Sequence, residues 1–105
     1  MTSFEERENA FEAEFAHREE LKFRARERAV TSLALWAAQR LGKAGQAADA
    51  YARDMVGLDV ANPRPDTTLE RIAADLQQAG VTQQEVRRAM EQFLPQTETS
   101  AHPSA

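Results

Sequence analysis

The chain has 105 residues, of which 42% are hydrophobic and 29% are charged, with a net charge of −4 at pH 7 and no cysteine. These values suit one soluble domain and exclude both a disulfide framework and thiolate chemistry. No apolar run approaches the roughly 18 to 20 residues that a spanning helix needs, and the negative charge argues against nucleic acid as a partner. Residues 1–6 lack the basic and apolar regions of a secretory signal, so we expect a cytoplasmic protein.

The first predicted helix is long. Ser3 and Glu6 form a capping-box pattern at its start, and no glycine or proline interrupts the chain until Gly42, a typical residue just beyond a helix end. Such a helix would have about 39 residues and a length of about 58 Å, at 1.5 Å per residue. Because a small domain cannot cover that length, we expect its N-terminal part to project, and to fray when it is free.

Two apolar stripes divide this helix. Phe4, Phe11 and Phe15 share one face, but the next positions in that register, Arg18 and Lys22, are charged. A second stripe in a different register follows, formed by Phe23, Val30, Leu33, Ala37 and Leu41. The pattern predicts that the second part of the helix packs into a domain, whereas the aromatic first part packs on something else.

Two shorter helices are predicted in the middle of the chain. The first runs from about Gln46 to Val56 or Leu58. A turn with two prolines, residues 59–66, follows it. The second begins with a capping-box pattern, Thr67-x-x-Glu70, and ends at Gly80.

The last predicted helix has the clearest start. Thr82-x-x-Glu85 is a third capping-box pattern, Val81 and Val86 stand at the positions of a hydrophobic staple, and Pro95 ends the helix. The capping patterns and the apolar periods agree with one another, which favours an all-α fold.

We therefore predict a four-helix bundle in three parts. An N-terminal arm covers residues 1–20, the bundle covers residues 21–94, and residues 95–105 form a disordered tail, because their apolar content is too low to offset the entropy of ordering. The expected core consists of Phe23, Val30, Leu33, Trp36, Ala37, Leu41, Tyr51, Met55, Leu69, Ile72, Leu76, Val86, Met90 and Phe93.

Sites for chemistry are scarce, and we expect no enzyme. Glu14-x-x-His17 has the spacing of a di-iron motif, but a working site needs a second such motif and two further glutamates, so no metal is expected. The segment from Gly42 to Gly45 precedes a helix, and Lys43 and Gly45 could seat the phosphate of an adenine nucleotide. It lacks the P-loop pattern, and a simple helix–helix turn explains the same residues.

Charge is unevenly distributed along the first helix. Residues 1–20 hold seven acids and two bases, whereas a basic collar of Lys22, Arg24, Arg26 and Arg28 follows directly. Such a polarised surface suits the steering of a docking event. Two interpretations of the collar stay open: a solvated face paired with neighbouring glutamates, or direct contact with a partner.

Several motifs together resemble a known family. The chain is similar to the ATPase inhibitor subunit zeta of alphaproteobacterial F-type ATP synthases over about residues 3 to 93. The similarity is carried by Phe4-x-x-Arg7, Ala10-Phe11-Glu12-x-x-Phe15-Ala16-His17, Glu20-Leu21-x-Phe23, Leu35-Trp36-Ala37-Ala38, Leu41-Gly42 and Ala50-Tyr51-Ala52.

The resemblance implies a regulatory subunit and not a catalyst. Its N-terminal segment would insert into the catalytic head, between the catalytic alpha and beta subunits and the gamma subunit, and block rotation in the hydrolytic direction. The free protein would be a monomer, placed at the inner face of the inner membrane through the synthase. By position, the inhibitory residues are Phe4, Arg7, Phe11, Glu14, Phe15, Ala16, His17 and Arg18.

Two of these positions depart from the family pattern. Glu14 stands where lysine is usual, and Arg18 stands where aspartate is usual. Three alternatives to the inhibitory role also stay open: the aromatic arm folds back onto the bundle, the bundle binds adenine nucleotide or another small ligand, or the protein is an adaptor for an unrelated partner.

Overall fold

The computed structural model describes residues 3–94, with the backbone alone for residues 3–6, 8 and 9. This part of the chain is all-α, as predicted. Its elements are helix α1 (Ser3–Arg40), α2 (Gln46–Ala61), α3 (Asp66–Leu76), a 3₁₀ turn (Gln77–Ala79) and α4 (Gln83–Phe93). Helix α4 ends at Phe93, two residues before Pro95. The predicted tail lies outside the described residues, as do the side chains of the Ser3 capping box.

The long first helix is confirmed, and it ends as its glycine predicts. Gly42 has a φ of 78°, in the left-handed region that favours glycine. The N–H of Gly42 donates to the carbonyl of Gln39 at 3.1 Å, and that of Lys43 donates to the carbonyl of Ala38 at 2.8 Å. This pair of bonds is a Schellman motif, and it reverses the chain so that α2 runs back along α1.

The boundary between α2 and α3 differs from the prediction. Helix α2 continues to Ala61, where the side-chain amide of Asn62 donates to the carbonyl of Leu58 at 2.8 Å. The predicted Thr67 capping box is wrong, because α3 already begins at Asp66 behind Pro65, whose φ of −67° suits a helix start. Glu70 instead approaches Arg64, with 3.4 Å between the guanidinium nitrogen and the carboxylate oxygen.

Most of the predicted core is buried. The members that lie fully inside, or that pack half-buried against it, are Val30, Leu33, Trp36, Ala37, Leu41, Tyr51, Met55, Leu69, Ile72, Leu76, Val86 and Met90. The prediction of burial was wrong for Phe23 and Phe93, since 49% and 37% of their surfaces are exposed. Phe23 lies on α1 about one turn before Arg26, where the end of α2 meets α1, and Phe93 is the last residue of α4.

Small residues outside the expected core list complete the core. Ala29, Ala34 and Ala38 of α1 are buried, as are Ala52 of α2 and Ala89 of α4. Alanine adds little volume, so these positions let the helix axes approach closely. Between α2 and α3, the Tyr51 hydroxyl donates to Asp75 at 2.9 Å, and burial, together with this bond, raises the pKa of the tyrosine.

The start of α4 provides a stability test with a built-in control. The Thr82 hydroxyl accepts from the N–H of Glu85 at 3.1 Å, and the Glu85 carboxylate accepts from the N–H of Thr82 at 2.8 Å, so this predicted capping box is confirmed. Thr82→Ala should lower the free energy of unfolding by about 1 kcal/mol, measured by urea denaturation at pH 7. Thr67→Ala should lower it by no more than about 0.5 kcal/mol, because Thr67 caps nothing.

The Thr82 effect should depend on pH. The hydrogen bonds from Thr82 lower the pKa of the Glu85 carboxyl from 4.5. A lowered pKa means that this stabilisation is present above pH 4.5 and is lost as the pH falls through the lowered value. An equal loss of stability in the Thr67→Ala and Thr82→Ala proteins at pH 7 would contradict the assignment of the cap.

Candidate functional site: an exposed aromatic arm

The projecting half of α1 is exposed on every side. All residues from 10 to 24 are exposed, and Phe11 and Phe15 have 67% and 57% of their surfaces in contact with solvent. Helix α1 continues without a break to Arg40. The interpretation that Phe11 and Phe15 fold back onto the bundle is therefore wrong for this structure. The side chain of Phe4, the third predicted aromatic, lies outside the described residues.

The two stripes of α1 lie closer in register than their sequence pattern predicts. Ala29, which is buried, follows Phe11 by 18 residues, and buried Leu33 follows Phe15 by the same number. Eighteen residues make about five helical turns at 3.6 residues per turn. The exposed aromatics thus lie on the side of α1 that the bundle covers further along. The charged Arg18 and Lys22 interrupt this face but do not move it to another side of the helix.

Polar residues surround the two aromatics. The other predicted inhibitory residues, Arg7, Glu14, Ala16, His17 and Arg18, are all exposed. Glu14 and Arg18, the two departures from the family pattern, form an ion pair four residues apart, with 3.7 Å between nitrogen and oxygen. The pair has the acid on the N-terminal side, which is the more favourable order in a helix. The two charge reversals therefore compensate each other within the arm.

The basic collar is not a single site. Lys22 lies 3.4 Å from Glu19, and Arg24 lies 2.7 Å from Glu20, and both pairs are exposed. Such pairs contribute little, about 0 to 1 kcal/mol each. Arg28 is exposed as well. In the free protein, Lys22 and Arg24 belong to a solvated, paired face, and their contact with a partner stays a prediction.

Arg26 has a different role from the rest of the collar. Its guanidinium donates twice to Asp59 of α2, at 3.1 and 2.8 Å, and once to the carbonyl of Pro65 at 2.8 Å. Asp59 also accepts from the hydroxyl of buried Thr68 at 2.8 Å. The cluster joins α1, the end of α2 and the start of α3 at the base of the arm. Sequence reasoning missed it because Asp59 is 33 residues from Arg26 and shares no local pattern with it.

The candidate nucleotide residues occupy a turn whose glycines have a conformational explanation. Gly45 precedes α2 with φ 57° and ψ −129°, a combination that disfavours other residues. The Lys43 ammonium lies 5.9 Å from the centre of the Tyr51 ring, within range of a cation–π contact. Both features serve the connection between α1 and α2. Nucleotide binding at Lys43 and Gly45 stays a prediction without a structural observation in its favour.

Neither a metal cluster nor a membrane-spanning helix is found among the described residues. Among residues 3–94, no group of three or more His, Cys, Asp or Glu side chains is arranged to hold a metal ion. In the same part of the chain, no helix has the length and apolar character needed to cross a membrane. Within this range, the exposed aromatic arm is the feature that packing inside the protein explains least.

Comparison with known proteins agrees with the resemblance read from the sequence. The family model described as ATPase inhibitor subunit zeta matches residues 1–100. The match takes in the arm and all four helices. No curated protein and no solved structure matches the chain.

Truncation of the arm aromatics tests whether they belong to the folded core. Phe11→Ala and Phe15→Ala should leave the melting temperature of the free protein unchanged, because neither side chain is buried. Leu33→Ala, five turns along the same side of α1, should cost about 3 kcal/mol, seen as a large drop in the melting temperature by circular dichroism. A loss of several degrees with Phe11→Ala would show that the arm packs on the bundle in solution.

Substitution of the two kinds of basic residue in the collar should change the free energy of unfolding by different amounts. Arg26→Ala leaves Asp59, only 13% exposed, without its main partner, and should lower the free energy of unfolding by about 2 to 3 kcal/mol. Arg24→Ala should change it by less than about 0.5 kcal/mol. Urea denaturation of both variants compares the two. Equal losses would mean that the Arg26 cluster does not hold the helices together.

Proposed function

Because the chain belongs to the ATPase inhibitor subunit zeta family, we propose that it inhibits ATP hydrolysis by an F-type ATP synthase through its aromatic arm. The family name describes a regulatory subunit, so the chemistry belongs to the synthase and not to this chain. The arm, residues 1–20, inserts into the catalytic head between the alpha and beta subunits and the gamma subunit. There it blocks rotation in the hydrolytic direction. The observation that carries the proposal is the exposure of Phe11 and Phe15 on a helix continuous with the bundle.

An aromatic helix of this kind suits docking into a groove. A fully buried phenylalanine contributes about 1.5 to 3 kcal/mol relative to an exposed one, and helices that bind in grooves use apolar anchors spaced three, four or seven residues apart. Phe11 and Phe15 have this spacing. Ordering of the arm would offset part of the gain, because an unsupported helical segment of this length is marginal in water.

The dimensions of the molecule support a limit to how far it can enter the catalytic head. The molecule measures 64 × 36 × 25 Å, whereas a single helix with its side chains is about 10 to 12 Å across. A groove that admits the arm therefore excludes the bundle. The bundle stays outside the head and fixes the depth to which the arm enters. From the association with the synthase that the family name implies, we infer a location on the cytoplasmic side, peripheral to the inner membrane.

The charge of the arm supports a defined orientation of the docked helix. With seven acids and two bases, the first 20 residues have a net charge of −5, which favours approach to a positively charged entrance. Arg7 and the internally paired Glu14 and Arg18 then set the register of the docked helix. Since the two reversed charges pair with each other, the arm keeps the same net charge as a chain with lysine and aspartate at these positions.

ATPase activity of the cognate catalytic head tests the proposal directly. Full-length protein should inhibit hydrolysis, whereas a chain of residues 20–105 should not, although all the buried residues are still present in it. Phe11→Ala combined with Phe15→Ala should raise the half-inhibitory concentration by at least tenfold. Circular dichroism of each variant confirms that the bundle is folded.

The outcomes of this experiment separate the proposal from its alternatives. Inhibition that survives removal of residues 1–19 would contradict an inhibitory arm. Lack of inhibition by the full-length protein would favour an adaptor or ligand-binding role instead.

A further inference from the structure

Large apolar side chains from two different helices are exposed at the end of the bundle that faces the arm. Phe23 of α1 and Val60 in the last turn of α2 have 49% and 54% of their surfaces in contact with solvent. They are far apart in sequence, and only the fold brings them to the same end of the molecule. We call this pair the shoulder.

The Arg26 cluster holds the shoulder in place. Phe23 precedes Arg26 by about one helical turn, and Val60 directly follows Asp59. The two bonds from Arg26 to Asp59 and the bond to the Pro65 carbonyl fix the end of α2 against α1 at this level. The shoulder is therefore preformed, and a partner that contacts it meets a low cost of ordering.

The shoulder lies near the side of α1 that carries the arm aromatics. Phe11 and Phe15 are on the side of α1 that the bundle covers further along, as their five-turn separation from Ala29 and Leu33 shows. The end of α2 reaches this side, because Arg26 follows Phe15 by 11 residues, about three turns, and bonds to Asp59. Phe15 and Arg26 are about 16 Å apart along the axis, at 1.5 Å per residue. A partner surface that extends past this distance reaches the end of the bundle.

The charges beside the shoulder define the chemistry of the occupant. Lys22 lies one residue before Phe23 and is 75% exposed, and Arg64, in the turn bonded to Arg26, is 68% exposed. Each has an acidic partner at 3.4 Å, a weak pair at the surface that a competing carboxylate can displace. The shoulder therefore fits an apolar patch with an acidic rim.

We propose that the shoulder is a second contact with the catalytic head, against its outer surface beside the positively charged entrance that receives the arm. This inference rests on the proposed function and extends it, because it assigns the bundle a part in binding beyond limiting the depth of insertion. The occupant is an apolar patch with an acidic rim on the protein that receives the arm. The shoulder increases the lifetime of the inhibited complex, whereas the arm causes the inhibition itself.

Val60→Gln tests the shoulder without touching the arm. Removal of one buried apolar contact should raise the half-inhibitory concentration for the cognate head about tenfold. Most of this change should appear as faster dissociation of the complex, since mutants of one interface differ mainly in that rate. The melting temperature of the free protein should not change, because Val60 is exposed. Val60→Ile, which keeps the apolar contact, should inhibit as the unchanged protein does.

Leu35→Gln is the matched control. Leu35 is 38% exposed and follows Phe15 by 20 residues, about five and a half turns, so it lies on the opposite side of α1. This variant should inhibit at the wild-type concentration. An equal weakening by Leu35→Gln and Val60→Gln would overturn the inference, since the effect would then be independent of position.

The remaining outcomes distinguish failure of the inference from failure of the proposed function. Inhibition by Val60→Gln at the wild-type concentration and dissociation rate, with an active arm, would overturn the shoulder alone. No inhibition by the full-length protein would overturn both. Sedimentation velocity of the free protein addresses a second copy as the occupant: self-association that Val60→Gln abolishes would assign the shoulder to a dimer and overturn its contact with the head.

Discussion

One uninterrupted helix is the constraint on which the rest of the structure depends. Helix α1 carries the exposed aromatics at one end and a large part of the core at the other, with no glycine or proline between Ser3 and Arg40. Because a continuous helix transmits its register over its whole length, the packing of Leu33 and Ala29 also sets the direction in which Phe15 and Phe11 point. The bundle thus orients the arm without touching it.

The cluster around Arg26 determines where the bundle ends. A partly desolvated ion pair gives uncertain net stability, but this one also satisfies a hydroxyl and a backbone carbonyl, so each polar group has its partner. It fixes the end of α2 against α1 and separates the covered part of the long helix from the exposed part. The neighbouring pairs of Lys22 and Arg24 hold nothing together, although the four basic residues look alike in the sequence.

Exposure of the arm aromatics makes the free protein less stable than it would be with these side chains buried. Phe11 and Phe15 would add stability if they were buried, yet α1 is too long for the other helices to cover them. Apolar residues that stay in solvent, against the rule that such residues are buried, are often found at functional sites. The proposed function gives this exposure a reason, since a docking helix must keep its apolar face available until it meets its partner.

Local chemistry allowed the sequence by itself to determine most of the fold. The glycine at position 42, the Thr82 capping box and the apolar periods predicted the helices, because these signals act within a few residues. The long first helix, and with it the candidate arm, followed from the same signals. Only the tertiary structure decided which apolar residues the other helices reach. Phe23 repeats in register with the core yet is exposed, Arg26 is structural among solvated neighbours, and Val60 comes to lie at the base of the arm. Each of these depends on contacts between residues far apart in the chain, for which a local pattern has no signal.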